Sequence, residues 1–305
     1  MNMIDFHRLT DADLQKYLEY VPCCEQRGCE YSFTNLRIWG RQQAAFEEGF
    51  LILFSQFDRS SVYPFPMGQG DIKTTLDKLI EDARKRGIPF RLSSMTKKQC
   101  EIVEALYPGK FQFHTDRDGF DYVYRTEDLA SLKGKRYQSK RNFVNRFHLN
   151  YPDCQFLPLD ASTVDAAKAV AEQWMAQRLI DDPLADFHLE RTALERAFAH
   201  REGLRLEGMV LINDGQPIAM TMGSRLCGNT FDIHFEKAVA GFDGAYAAIN
   251  QAFARYLQEK YPEVDYLNRE DDMGLEGLRK AKLSYHPDHL IEKYWARLWE
   301  EDDEH

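Results

Sequence analysis

Apolar and polar positions alternate along this chain in short blocks, and the block lengths predict its elements. "GFLILFSQF" (49–57) is continuously apolar over the length of a strand, which predicts a buried strand. "DIKTTLDKLIEDARKRG" (71–87) places Ile72, Leu76, Leu79 and Ile80 at helical spacing, and Gly87 closes it. A strand over "IPFRLSS" (88–94), a capped helix over "TKKQCEIVEALYPG" (96–109), a strand over "DYVYR" (121–125) and a further helix after "TEDLASLKG" complete the first half. In the second half "CQFLPL" (154–159) predicts a strand, and 162–179 and 189–200 predict two helices. "LRLEGMVLINDGQPIAMTMGSRL" holds Asn-Asp-Gly between two alternating runs, the signature of a tight hairpin. "NTFDIHFEK" (229–237) adds a third antiparallel strand. Helix 244–261, strand "VDYLN" (264–268), helix "LEGLRKAKL" (275–283) and a last strand near 290–299 follow.

Two helices, three antiparallel strands, a helix, a strand, a helix and a strand is the order of a GNAT-type acyltransferase domain. The first half is consistent with a degenerate copy. The expected fold is therefore α/β (α+β), with tandem GNAT-type domains built on mixed central sheets flanked by helices. The boundary is expected near residue 150: residues 1–150 form an N-terminal domain ending in a basic helix, and 151–305 a C-terminal one.

Composition narrows the function classes. The 305 residues are 44% hydrophobic, enough for a substantial core, and carry a net charge of -10. Such a field repels polyanions in general, so any phosphate must be met locally. The start "MNMIDFHRLTDADL" has charges where a signal peptide needs an apolar core, and no run approaches the roughly 18 apolar residues of a spanning helix. A cytoplasmic protein is expected, with Cys23, Cys24, Cys29, Cys100, Cys154 and Cys227 as reduced thiols. Cys23-Cys24-x4-Cys29 lacks paired metal-ligand spacing, so no metal site is predicted. Walker, GxGxxG, HExxH and GxSxG patterns do not occur.

Three segments carry candidate chemistry. "GKRYQSKRNFVNRF" (134–147) gathers Lys135, Arg136, Lys140, Arg141 and Arg146, with Lys133 just before, and no carboxylate occurs between Asp128 and Asp153. A helix there puts Tyr137, Val144 and Phe147, with Phe143 beside them, on an apolar stripe, and Lys135, Asn142 and Arg146 on a polar one. A charge run is ordinarily a solvated face; the absence of acids points instead to an anion, phosphate above all. In "YLNREDDMGLEGLRKAKLSYHPDHLIEKY" (266–294), Asn268, Arg269, Glu270, Asp271 and Asp272 follow a strand end, where α/β sheets collect ligands. Helix capping by Asp271, Asp272 and Glu276 is the competing explanation. In "HFEKAVAGFDGAYAAIN" (234–250), Gly241 and Gly244 precede a helix N-terminus suited to a pyrophosphate, without the full Gln/Arg-x-x-Gly-x-Gly/Ala spacing of acyl-CoA enzymes. Glu236 is a candidate base, a structural ion pair with Lys237 being the alternative.

Together "GKRYQSKRNFVNRF", "DIHFEKAVAGFDGAY", "YLNREDDMGLEGLRKAKLSYHP" and "EKY" resemble the soluble DUF2156 proteins, related to the C-terminal catalytic part of bacterial phosphatidylglycerol lysyltransferases. The resemblance implies a tandem GNAT fold shared in outline with Fem-type transferases, and transfer of an aminoacyl group from tRNA to an acceptor. It carries a donor and acceptor site onto Gly277, Leu278, Arg279, Lys282, Pro287 and Tyr294. The membrane-embedded half of those enzymes is absent from this sequence. On this basis the basic helix meets the tRNA acceptor end, Tyr137, Phe143 and Tyr285 supply stacking, Glu270, Asp271 and Asp272 hold the amino group, Glu236 or Glu270 acts as base, and Arg279 or Lys282 stabilises the oxyanion. No tightly bound cofactor is expected. The acceptor stays open between a lipid head group, a peptide and a small amine. The alternatives are an acyl-CoA-dependent N-acyltransferase, with the cofactor near 238–246, and a non-catalytic polyanion-binding relic.

Overall fold

The computed structural model describes residues 3–20, 28–40, 42–47, 49–57, 60–184 and 186–299. Cys23, Cys24 and the acidic stretch 300–305 lie outside the described residues, so the partial cysteine cluster is not described as a whole. The chain divides into two compact units: residues 1–121 with 271–274 and 291–305, and residues 122–270 with 275–290. The expected boundary near residue 150 thus falls inside the second unit, which takes the basic helix that the sequence assigned to the end of the first. Among the described residues no helix is long and apolar enough to cross a membrane.

In the first unit, strands β1 (Gln42–Glu47), β2 (Phe50–Phe57) and β3 (Ser60–Pro64) form an antiparallel meander, and the two-residue β4 (Met67–Gly68) pairs with β2. Helices α1 (Leu14–Tyr20) and α2 (Phe33–Ile38) precede it; α3 (Ile72–Arg86) follows and leads to β5 (Arg91–Met95), which pairs parallel to β3. After α4 (Lys97–Leu106) comes β6 (Phe111–Thr115). The chain's last strand, Tyr294–Leu298, inserts antiparallel between β5 and β6. The sequence reading did not mark β1, β3, β4 and β6, which are short, and it counted the last strand with the second half, whereas that strand pairs in the first sheet. Leu76, Leu79 and Ala83 of α3 pack with Tyr63, Phe90 and Leu92 in this unit's core. Asp71 caps α3, accepting from the amides of Lys73 (3.0 Å) and Thr74 (3.2 Å).

The second unit repeats the plan. Strand β7 (Asp121–Arg125) is followed by helices α5 (Thr126–Ser131) and α6 (Gln138–Asn150), strand β8 (Gln155–Pro158), and helices α7 (Val164–Asp181) and α8 (His188–Ala199). Strands β9 (Glu207–Asn213), β10 (Gln216–Cys227) and β11 (Thr230–Ala238) form the predicted meander. Helix α9 (Ala245–Lys260) then leads to β12 (Tyr266–Asn268), parallel to β11, before α10 (Glu276–Leu283) and β13 (His289–Ile291). The sheet order is β13-β7-β12-β11-β10-β9-β8. In each sheet the strand beyond the parallel pair comes from a distant part of the sequence. Two mixed sheets flanked by helices are the tandem GNAT-type architecture expected.

Helix α9 presents Ala245, Ala248, Ile249, Phe253, Ala254 and Leu257 to the second core, beside Tyr122, Tyr124, Leu129, Phe147 and Phe231. That spacing is one helical face, and its alanines permit close approach. Burying each large side chain of this set contributes on the order of 1.5–3 kcal/mol.

Candidate functional site

The parallel pairing of β11 and β12 stops at Asp232↔Asn268, whereas β11 runs on to Ala238. Polar side chains beyond that point are therefore not held by a ladder partner on that side. Glu236 fills the place: its Oε1 accepts from Arg269 Nη2 at 2.8 Å and its Oε2 from Asn250 Nδ2 of α9 at 3.1 Å. Nη1 of Arg269 is buried and finds no hydrogen-bond partner among the described residues. Lys282 fixes the turn by donating from Nζ to the carbonyls of Arg269 (2.5 Å) and Glu270 (3.1 Å).

Beside this pair opens a cavity of about 440 Å³, lined by α6, α7, the loop 239–244 and the start of α9. Its rings are Phe143, Trp174, Phe242, Tyr246 and Tyr285, and its cations Lys140 and Arg178. Lys140 Nζ lies 3.9 Å from the centre of the Tyr285 ring, and the Arg269 guanidinium lies 4.8 Å from the same ring. Burial, and then the nearby Arg269 charge, push the Lys140 amine down to about 8, with Glu236 partly opposing. Burial raises Tyr285 to about 12. On one wall Trp174 donates to Tyr246 Oη at 2.9 Å, and Lys237 Nζ stands 3.4 Å from the Trp174 ring while pairing with Glu190 at 2.5 Å. The sequence's pairing of Glu236 with Lys237 is replaced: adjacent residues on a strand face opposite ways, so Lys237 meets α7 and α8 while Glu236 meets α9 and Arg269.

The start of α9 is open. Gly244 takes the N-cap position at φ +87 with no side-chain cap, and a Cβ there would lie 2.5 Å from the Phe143 carbonyl oxygen. Only glycine fits both demands. The loop therefore lies directly on the basic helix, and backbone amides at a helix N-terminus share a cavity with Lys140. An anion placed there would meet both.

The remaining predicted residues divide. Of the basic run, Lys140 lines the cavity. Arg141 instead donates to the carbonyls of Leu132 and Gly134 and to Gln138, closing the turn before α6. Arg136 pairs with Asp128 at 2.7 Å, Asn142 accepts from Gln138, and Arg146 stacks near Phe143; Lys135 is exposed. Tyr137 is buried in the small core of Leu132, Val144 and Ala247, so it offers no stacking surface. Asn268 is buried and accepts from the Glu270 amide at 2.7 Å. Asp271 and Asp272 belong to the first unit, where Asp272 is fully buried, accepts from Gly274 N and faces Arg117 at 3.5 Å. Glu270 sits 3.3 Å from His234, not among the cavity residues. Arg279 is half-buried on α10, and Gly241 and Gly244 line the cavity. Trp174, Tyr246 and Asn250 escaped the sequence reading. Helical spacing alone had marked α7 and α9 as packing helices, and nothing in it tells a core ring from a cavity ring.

The profile described as "Phosphatidylglycerol lysyltransferase, C-terminal" matches residues 23–297. A conserved protein of unknown function from Bacteroides thetaiotaomicron VPI-5482 is 38% identical with a TM-score of 0.92, over 97% of this chain and 100% of that one. L-PGS from Bacillus licheniformis shares the fold at 14% identity and a TM-score of 0.69, over 94% and 91% of the two chains. FemX does so at 10% identity and 0.61, over 97% and 98%. An uncharacterised protein of Mycoplasmoides gallisepticum (strain R(low / passage 15 / clone 2)) is 24% identical over 211 residues, 68% of this chain and 64% of that protein.

Proposed function

Since the chain belongs to the family of phosphatidylglycerol lysyltransferase C-terminal domains, we propose that its second unit is an aminoacyl transferase that takes its donor from aminoacyl-tRNA. The observation that carries this reading is the uncapped start of α9, opening with Lys140 onto a ring-lined cavity beside the Glu236–Arg269 pair. A phosphate of the tRNA 3′ end accepts hydrogen bonds from the amides at the helix start and faces the Lys140 ammonium. Terminal bases stack on Trp174, Tyr246 or Tyr285, as unpaired ends do on aromatic platforms. The ester carbonyl then lies toward Arg269, whose buried Nη1 is a donor for the oxygen that becomes negative during attack.

The chemistry is acyl exchange. The acceptor's amine or hydroxyl attacks the ester carbon, a new C–N or C–O bond forms, and the bond to the ribose oxygen breaks. Glu236 takes the proton from the nucleophile and returns it to the leaving ribose oxygen, a shuttle that typically contributes 10²–10⁴-fold. Asn250 and Arg269 hold that carboxylate in place. Acceptors of three chemistries fit the reading: a lipid head group, a peptide amine and a small amine.

The test offers radiolabelled aminoacyl-tRNAs and a cell extract fractionated into lipid, peptide and small-amine pools. Label leaving tRNA for one pool, reduced at least 100-fold by Glu236→Gln with tRNA binding retained, supports the reading. Transfer from acetyl-CoA and none from tRNA replaces it with an acyl-CoA enzyme whose pyrophosphate lies at the same helix start. Polyanion binding without any transfer assigns a binding protein.

A further inference from the structure

A second constellation lies on the same sheet, away from the cavity residues. Asp232 and His234 lie on β11 where its register with β10 passes from Gly223↔Ile233 to Met222↔Phe235, so His234 is the extra residue of a bulge and turns toward Asp232. Glu270 reaches them from the other side of the splay. Because Asp232 registers with Asn268 on the parallel strand, a residue two beyond Asn268 arrives level with His234. Glu270 does so at φ +58, a conformation that side chains other than glycine seldom adopt. The strain is held by its amide on Asn268 Oδ1 (2.7 Å), and by its carbonyl accepting from Tyr122 N (3.1 Å) and Lys282 Nζ (3.1 Å). Such a turn is a costly way to deliver one carboxylate, and is met chiefly where it serves a site.

The delivered atoms converge. His234 Nδ1 lies 3.5 Å from Asp232 Oδ2 and 3.3 Å from Glu270 Oε1. Neighbouring ligands of one cation, each bonded at about 2.0–2.2 Å, stand about 3.4 Å apart in a tetrahedron. The far nitrogen of the ring is fixed as well: His234 Nε2 is 2.8 Å from Ser224 Oγ. Donation from Nε2–H to that hydroxyl leaves the Nδ1 lone pair facing the two carboxylates, the outer-shell arrangement metal-bound histidines commonly show. Ser224 is brought there by a bulge. The β10–β11 register shifts at Met222/Gly223, where a Cβ on Gly223 would lie 2.2 Å from the Asp232 carbonyl, so the strands close in and Ser224 comes opposite Asp232. The side chains of Asp232 and His234 are 0% and 1% exposed and that of Glu270 is 23% exposed, which leaves one side for entry.

We propose that Asp232, His234 and Glu270 form a site for one divalent transition cation of the zinc type, with Ser224 orienting the imidazole. One nitrogen and two carboxylate oxygens leave a fourth position for water and suit Zn²⁺ better than the softer or all-oxygen cations. The ion fastens the turn 268–270 to β11, and that turn carries Arg269 to Glu236. Its role is to position Arg269, and it takes no part in bond exchange. The first unit supplies the contrast. Cys29, Glu30 and Asp121 converge as densely, but the Lys293 ammonium already stands among them, 2.6 Å from Asp121 and 2.7 Å from Glu30.

The experiment uses the full chain, free of any histidine tag and stripped with a chelator. It is titrated with ZnCl₂ by calorimetry and with CoCl₂ while the visible absorption of bound Co²⁺ is recorded. One equivalent is expected, weakened at least 100-fold by Glu270→Gln and about 10-fold by Ser224→Ala, which keeps all three ligands. Both substitutions are mild enough to give folded protein if His234→Gln does not. No stoichiometric binding, or one equivalent held with unchanged affinity in Glu270→Gln and Ser224→Ala, overturns the site. Loss of that equivalent on Cys29→Ser overturns it too, moving the ion to the first unit.

Discussion

The two units share a plan and use it oppositely. In each, an antiparallel meander leads through a helix to a strand parallel to the last of the three. In the first, that helix is α3, and its opening amides are taken by Asp71. In the second it is α9, whose opening carries no side-chain cap and faces a cavity. The buried charges follow the same division. Lys293 is enclosed by Asp121 and Glu30; burial opposes its charge, but Asp121, Cys29 and Glu30 hold it well above the usual lysine range. In the second unit Lys140 stands at the cavity wall with a lowered pKa and no carboxylate bonded to its ammonium among the described contacts. The first unit closes its helix start with Asp71 and its buried ammonium with carboxylates, whereas the second leaves both a helix start and a cation facing a cavity.

The largest effect is expected where the closed copy is opened. Lys293→Met leaves Asp121 and Glu30 buried without their cation and should cost about 3–5 kcal/mol in denaturant unfolding. A loss under 1 kcal/mol would show that this cluster is not what closes the first unit. Next, the open copy can be blocked. Gly244→Ala forces a methyl group against the Phe143 carbonyl at positive φ, so donor binding should fall at least 10-fold, with a stability loss of about 1–3 kcal/mol. Equal donor affinity in the variant would remove the helix start from the donor site.

The Lys140 cation gives a smaller effect with a definite sign. An anion binds the protonated amine, and the free amine titrates near 8. Donor affinity is therefore full below pH 7 and falls as pH rises through 8 to 9, by up to about tenfold. Lys140→Met should bind weakly at every pH and abolish that slope; a slope retained in the variant would point to another group. The smallest effect belongs to Asp71→Ala, which should lower Tm slightly and leave transfer unchanged. Thr74 holds the Asp71 carboxyl below its usual range, so the cap contributes above pH 4 and is lost in acid, and the difference in Tm should vanish there.

The sequence located most of the second unit because its strands and helices are uninterrupted in period. Strands β9 to β11, α9 and α10 lie within a few residues of their predicted bounds. It also marked 134–147, 234–250 and 266–294 as the segments that matter. Within them it was less discriminating. A cation count along a helix does not tell Arg141, which ties down backbone carbonyls, from Lys140, which lines a cavity, because both lie one residue apart on the same turn. Of β11 it marked Glu236 but neither Asp232 nor His234, because the bulge that separates the imidazole cluster from the Arg269 pair leaves no trace in local periodicity.

Local patterning thus determined the longer helices, the meander of the second unit and their apolar faces, since those follow from periods of 3.6 and 2. It also fixed the left-handed turns at Gly87 and Gly244, which steric exclusion reserves for glycine. Strand neighbourhood was decided only by the folded chain. That β7 lies beside β12, that the last strand enters the first sheet, and that Glu270 meets His234 across the splay depend on pairings between residues far apart in sequence. Such pairings are selected by complementary packing and by hydrogen bonds available only after collapse, and no window along the chain contains both partners.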